Sequence, residues 1–328
     1  VALIRALPLE IKGYVPSALH SNERAWPQTN CYVDLWIEAL HGAGFDEEAV
    51  LPFCLRTDFE GDHFTFFKHP HEDLQQLYGI TVQELPIWRR LLDHTVEQLK
   101  QQRLVTVELD SWFLPDTAGT AYGQEHVKST VAIAAVDEDA KRCEYFHNAG
   151  FYGLHGADFD GAFRLAPPLS TNPDILPPYV EVVKLEKGAA LAGQRLVEGS
   201  VRLMRQHLAH RPRTNPIGRF RPRFEEDLSW LMTQPMSMFH LYAFNTLRQL
   251  GSSSELLRSW LLWLEKKGGG SHPDAAAAFG SISDTCKALV FQLARMANRK
   301  KVADVSAPLA SLEEQWERGM SKLVAAFV

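Results

Sequence analysis

A break in composition around residues 167–178 divides this chain into two stretches of different secondary-structure character. Pro167, Pro168, Pro173, Pro177 and Pro178 deny helix there, and the Ser, Thr and Asn residues among them favour turns. Before the break, helix signals at 31–41 and 83–101 are interspersed with short β-rich runs at 105–109, 127–136 and 143–146. After it the pattern is almost wholly helical, over about 189–209, 224–250, 254–267, 274–299 and 306–327. An Arg/Pro segment, Gly251-Ser252-Ser253, Gly268-Gly269-Gly270-Ser271 and Ala303 to Ser306 separate those helices. The expectation is an α+β domain over 1–170 followed by a helical bundle over 171–328. With 328 residues, 45% of them hydrophobic, the chain is long enough to bury a core in each.

The charge balance narrows the partners. A net charge of −6 offers no bulk attraction to nucleic acid or to an anionic membrane, so neither is expected as a partner. Cys31, Cys54, Cys143 and Cys286 are too scattered for a disulfide-stapled fold or a paired zinc ribbon. Residues 1–9 lack the apolar core of a secretory signal, and no stretch runs eighteen apolar residues without a charge. These features predict a soluble cytoplasmic protein with free thiols.

One of those thiols has a special setting. Cys31 falls in the first turn of a helix whose apolar residues Val33, Trp36, Ile37 and Leu40 recur at helical spacing, after the cap candidates Thr29 and Asn30. The positive end of a helix dipole favours a thiolate, the nucleophilic form. A cysteine nucleophile also needs a base and a group to orient that base. His126 opens a β-rich run, and a hairpin through 137–141 would return His147 and Asn148 towards it. The predicted trio is Cys31 as nucleophile, His126 as base and Asn148 as orienter. The backbone N–H of Cys31 and the side-chain amide of Gln28 or Asn30 are the oxyanion donors on offer. Trp26, Trp112, Phe151 and Tyr152 are candidates to wall an acyl pocket, and Asp110 to fix its loop by bonding backbone amides.

The order of cysteine at a helix start, histidine at a strand start and Asn or Asp on the next strand resembles the papain-like cysteine fold, in particular its bacterial peptidase branch. Asp110-Ser111-Trp112-Phe113-Leu114-Pro115, followed by His126, is similar to the acyltransferase type of butirosin biosynthesis, over roughly residues 25–165. The papain-like pattern has a glutamine upstream of the cysteine where this chain has Ala25. The whole chain also resembles an uncharacterised bacterial family encoded near amino acid:carrier protein ligases, through Asn30-Cys31-Tyr32-Val33-Asp34, Leu114-Pro115-Asp116-Thr117 and Tyr145-Phe146-His147-Asn148-Ala149-Gly150. The resemblance implies a papain-like catalytic domain and an acyl or aminoacyl group presented on the phosphopantetheine of a carrier protein. A small amine would accept that group, and no bound cofactor is implied.

Carrier proteins are usually acidic, so a partner should show a basic patch. From Arg202 to Arg223 there are seven arginines and no acid, with Arg211, Arg213, Arg219, Arg221 and Arg223 as docking candidates. The opposing reading is a solvated segment offset by Glu225, Glu226 and Asp227. No metal is expected, because His69-Pro70-His71 lacks a ligand-spaced helix or cysteine pair. Two further functions use the same residues or none of them: a cysteine hydrolase of peptide, amide or thioester bonds, and a non-catalytic carrier-protein binding module.

Overall fold

The computed structural model describes residues 3–328 and shows two compact units. Val1 and Ala2, part of the N-terminal reading above, lie outside the described residues. The first unit comprises 1–18, 31–46 and 74–190, and the second takes 19–30, 47–73 and 191–328. The chain is therefore not cut once near residue 170. Two stretches of the N-terminal half belong to the helical unit, and the sheet unit continues to residue 190 because a strand follows the proline-rich segment.

The first unit is built on a sheet of β1 (Ile4–Arg5), β2 (Ile80–Glu84), β3 (Leu104–Asp110), β4 (Lys128–Asp137), β5 (Arg142–His147), β6 (Gly150–His155) and β7 (Val180–Leu185). The order is β2-β7-β3-β4-β5-β6, with β1 pairing β4, and every pairing is antiparallel. Helices α1 (Cys31–Gly42), α3 (Leu91–Lys100) and α4 (Ala157–Ala162) pack on it, and α2 (His71–Tyr78) leads into β2. The sequence signal at 83–101 is a strand end, a loop and a helix: Ile80 and Val82 alternate as a strand, and Pro86 separates them from α3. The β7 run, Val180-Glu181-Val182-Val183, sits between β2 and β3.

Helix α1 departs from the expected amphipathic pattern. Every residue from Tyr32 to Leu40 is buried, Asp34 and Glu38 included. Glu38 is satisfied inside: its carboxylate accepts from the Tyr14 hydroxyl at 2.5 Å and the Ser17 amide at 3.0 Å. A buried acid is tolerated when such donors replace water. The helix therefore needs no polar face.

The second unit contains α5 (Gln194–Ala209), α6 (Pro216–Leu231), α7 (Met236–Ala243), α8 (Gln249–Lys266), α9 (Pro273–Arg299) and α10 (Ser306–Phe327), with a π-turn at Phe244–Arg248 between α7 and α8. Its core includes the rings of Phe59, Phe64, Phe220 and Phe224, with successive centroids 5.1–5.4 Å apart. Buried polar links join its segments: Trp260 Nε1 donates to Ser200 Oγ at 2.7 Å, and Asp73 pairs with His207 at 2.7 Å. Gly251-Ser252-Ser253, expected to separate two helices, runs inside α8. A Cβ on Gly251 would stand 2.7 Å from Trp26 Cζ2 and 2.8 Å from Cys286 Cβ, so glycine serves close packing there instead of breaking the helix. Among the described residues, no helix is long and apolar enough to cross a membrane.

Candidate active site

Strand β3 ends at Asp110, whose side chain caps the following turn by accepting from the Trp112 amide at 3.0 Å. Its other carboxylate oxygen lies 2.6 Å from Nδ1 of His126. The His126 ring stacks on Trp112, with centroids 4.5 Å apart and planes 10° from parallel. A carboxylate on Nδ1 favours the tautomer that carries its proton there and leaves Nε2 as the basic nitrogen. Asp110 thus does more than hold its loop.

This dyad borders a cavity of about 310 Å³ lined by Glu108, Leu109, Asp110, Phe113, His126 and Arg164, among others. Phe113, Leu169, Ile175 and Pro178 make much of the wall apolar. Arg164 contributes a cation; it donates to the Leu176 carbonyl at 2.6 Å. Burial lowers its pKa and the nearby Asp110 carboxylate opposes that shift, so the guanidinium remains charged. The site is suited to an apolar body with an anionic or carbonyl end.

Cys31 is the first residue of α1 and is partly exposed. Two contacts fix the sheet face that α1 covers. Gly42 at its far end packs on the Phe146 ring, while Tyr32 at its start lies near Glu181 and Tyr179; burial first, then the Glu181 charge, pushes that phenol upward. Glu181 pairs with Thr106, which pairs with Ala132, which pairs with Phe146, so these residues share one face. By the same two-residue period, Glu108 and Asp110 lie on that face. The cavity is lined by Leu109 of the opposite face as well as by Glu108 and Asp110, so it lies at the end of β3, where the Glu108 amide donates to the Tyr179 carbonyl at 3.1 Å. No hydrogen bond joins Cys31 to His126 among the described residues.

Asn148 is placed elsewhere. The β4–β5 hairpin forms as expected, but its register sets Ala132 opposite Phe146, which carries Asn148 to about the level of Thr130. His126 lies four residues further along, roughly 13 Å at the usual rise of a strand. Asn148 instead turns the chain into β6 with φ of 45°, and its amide stands 3.3 Å from Nδ1 of His147. Asp110, one strand earlier, is the group that orients His126.

His147 belongs to a second polar network. Its Nε2 is 2.6 Å from Ser129 Oγ, its Nδ1 is 2.6 Å from Asp116, and the Tyr145 hydroxyl donates to Asp116 at 2.6 Å. Tyr145 and His147 alternate with Phe146, so this network faces away from α1. The His147 side chain is fully buried, which suits an anchor tying the 115–117 turn to β5. The Tyr145-x-His147 spacing is visible in the sequence, but its remote partner Asp116 is not.

Most of the remaining candidates fall in the second unit. Gln28 is exposed and its carbonyl accepts from Arg248 at 3.0 Å, whereas buried Asn30 spends its amide on the Phe67 carbonyl at 3.1 Å. Trp26 packs against Gly251 in that unit's core; Phe151 belongs to the first unit's core, beside Tyr14 and Phe146. Arg219 pairs with Asp58, Arg221 with Glu225 and Glu313, and Arg223 with Asp227. Arg211 donates to the Leu208 carbonyl, and Arg213 is exposed. Much of the basic stripe is thus offset within its own unit, as the solvated reading requires.

The four cysteines differ sharply. Cys54, Cys143 and Cys286 are buried, and burial raises each thiol well above its ordinary pKa. Iodoacetamide applied to the native protein is expected to label Cys31 alone, with the other three reacting only after denaturation; peptide mass spectrometry checks this.

Residues 15–185 match the family model described as the DUF1839 N-terminal domain, and residues 193–325 match the DUF1839 C-terminal domain. No curated protein matches the chain.

Proposed function

This chain belongs to the DUF1839 family, and we propose that it is a thiol-dependent acyltransferase moving an acyl or aminoacyl group from a carrier-protein phosphopantetheine thioester to an amine. The observation that carries this reading is the His126–Asp110 dyad beside a partly apolar cavity, in the same unit as the part-exposed thiol at the start of α1. The reading includes a papain-like catalytic arrangement and a cytoplasmic location, where free thiols persist.

In the first half-reaction the Cys31 sulfur attacks the thioester carbonyl, the bond to the phosphopantetheine sulfur breaks, and acyl-Cys31 forms. His126 Nε2 takes the Cys31 proton and returns it to the departing thiol, while Asp110 stabilises the imidazolium. The backbone N–H of Cys31 is the donor proposed for the tetrahedral oxyanion. In the second half-reaction an amine attacks the acyl-enzyme, His126 accepts its proton, and the Cys31 thiol is regenerated. The Arg164 cation would hold a carboxylate or phosphate of donor or acceptor. Carrier docking through Arg211 and Arg213 is favoured over Arg219, Arg221 and Arg223, whose charges are already paired.

Replacing His126 with Gln, or Asp110 with Asn, is expected to lower the transfer rate about 10²- to 10⁴-fold while leaving the thermal midpoint within a few degrees, because both groups are surface-accessible. Single-turnover transfer from an aminoacyl carrier protein measures the effect. Supplying that carrier with and without candidate amines separates transfer from hydrolysis: amide product formed at the expense of free amino acid supports transfer, and equal release of free amino acid in both assigns a hydrolase.

A further inference from the structure

We propose that the acceptor is a free α-amino acid with an apolar side chain, its carboxylate held by Arg164 in the cavity beside His126. The inference deepens the acyl-transfer reading above and rests on it. Arg164 follows α4 as the left-handed residue of a Schellman turn, with φ of 54°. Its amide donates to the Gly161 carbonyl at 3.0 Å, and the Leu165 amide donates to the Asp160 carbonyl at 2.8 Å. Glycine usually fills that position, and an arginine there carries a backbone cost of the kind that clusters at ligand sites. One guanidinium nitrogen, Nη1, donates to the Leu176 carbonyl at 2.6 Å, while Nε and Nη2 have no partner among the described residues and remain open to solvent. Those two nitrogens form the side of the fork that holds a carboxylate through two parallel bonds. The two acids of the cavity lining are already matched, Glu108 to Lys128 at 2.8 Å and Asp110 to His126 at 2.6 Å, which leaves the Arg164 cation for an incoming anion.

The chemistry of the two reactants decides which of them supplies that anion. An aminoacyl donor has spent its α-carboxyl in the thioester. The phosphate of its phosphopantetheine arm lies about 18 Å from the thioester along an extended arm, whereas Arg164 lines the same cavity of about 310 Å³ as His126 and feels the Asp110 charge. The anion at Arg164 therefore belongs to the acceptor. Phe113, Ala162, Leu169, Ile175 and Pro178 give the cavity apolar walls, and its volume, at the lower end for small-molecule sites, suits one apolar amino acid. In a ping-pong cycle the arm has departed before the acceptor enters, so both can use these walls in turn. The amino acid loses one ammonium proton to solvent, and its neutral amine attacks the acyl-Cys31 carbonyl; the C–N bond forms and the C–S bond breaks. The second proton passes through His126 Nε2 to the Cys31 sulfur, so the products are a peptide-bonded amide with a free carboxylate and the regenerated thiol.

Calorimetric titration of the full chain with L-leucine and L-phenylalanine, and with L-leucinol and L-phenylalaninol, whose carboxylate is replaced by a neutral alcohol, tests the site without any transfer. The expected result is saturable binding of at least one amino acid, at least about tenfold tighter than its alcohol. Arg164→Gln should abolish that preference. Arg164→Lys keeps the charge and loses the fork, so it should retain part of the preference, and it decides the matter if Arg164→Gln fails to fold. In the transfer assay, Arg164→Gln should raise the KM of the amino acid at least about tenfold more than the KM of its alcohol. No saturable binding of either amino acid up to about 10 mM, equal binding of acid and alcohol by the parent, or a preference that Arg164→Gln leaves intact overturns the proposal, even where Cys31 takes up an acyl group. Carboxylate-dependent binding without acylation of Cys31 upholds the amino acid site and removes the transfer reading.

Discussion

Cys31→Ala is expected to abolish acyl transfer, with a loss on the order of 10⁴- to 10⁶-fold, because removing a nucleophile leaves only binding and oxyanion stabilisation. The fold should survive the change. Cys31 is only partly buried at the start of α1, and the change removes a single sulfur atom, so it opens little core cavity. Carrier-protein affinity should be nearly unchanged, since the contacts proposed for the acyl arm are with the cavity walls and not with the sulfur. Transfer assays paired with a binding titration check both halves. A variant that transfers at wild-type rate removes Cys31 from the chemistry and leaves a non-catalytic carrier-binding role as the surviving reading.

The second large effect concerns stability. Gly251→Ala is expected to destabilise the protein by about 2 kcal/mol, although alanine normally gains about 1 kcal/mol over glycine inside a helix. The new methyl would lie 2.7 Å from the Trp26 ring and 2.8 Å from Cys286 Cβ. The Cys286 atom is fixed to the backbone of α9 and cannot swing aside, and the Trp26 side chain is 4% exposed and packed. Urea unfolding followed by far-UV circular dichroism measures the change in midpoint. An alanine variant as stable as the parent would show that α8 and α9 can separate at no cost.

Gly251 also marks where sequence reasoning fails. A Gly-Ser-Ser run carries the local signature of a turn, and only the tertiary approach of Trp26 and Cys286 makes it the closest packing point of a continuous helix. The α+β character of the first part and the helical character of the second were legible, because alternation and helical spacing are local. The division at residue 170 was not, since assignment of 19–30 and 47–73 to the helical unit depends on long-range packing. Strand β7 was hidden beside the proline-rich segment, whose composition suggested a boundary.

The candidate site divides in the same way. Cys31 at a helix start and His126 before a strand could be read from local pattern. The partner of His126 could not, because a four-residue offset in hairpin register decides between Asn148 and Asp110, and register is set by the whole sheet. Arg164 entered the cavity with no sequence signal, carried there by the turn after α4. The basic stripe over-read its free charge for a related reason: Asp58 and Glu313, which pair with Arg219 and Arg221, are distant in sequence.

Intact-mass spectrometry of the protein after brief incubation with an aminoacyl carrier protein, without any amine, asks whether Cys31 carries the acyl group between donor and acceptor. The expected result is a mass increase equal to one aminoacyl group, located on Cys31 by peptide mapping, lost on Cys31→Ala and discharged when a competent amine is added. Turnover of the loaded carrier with no adduct on Cys31, and undiminished in Cys31→Ala, would contradict it.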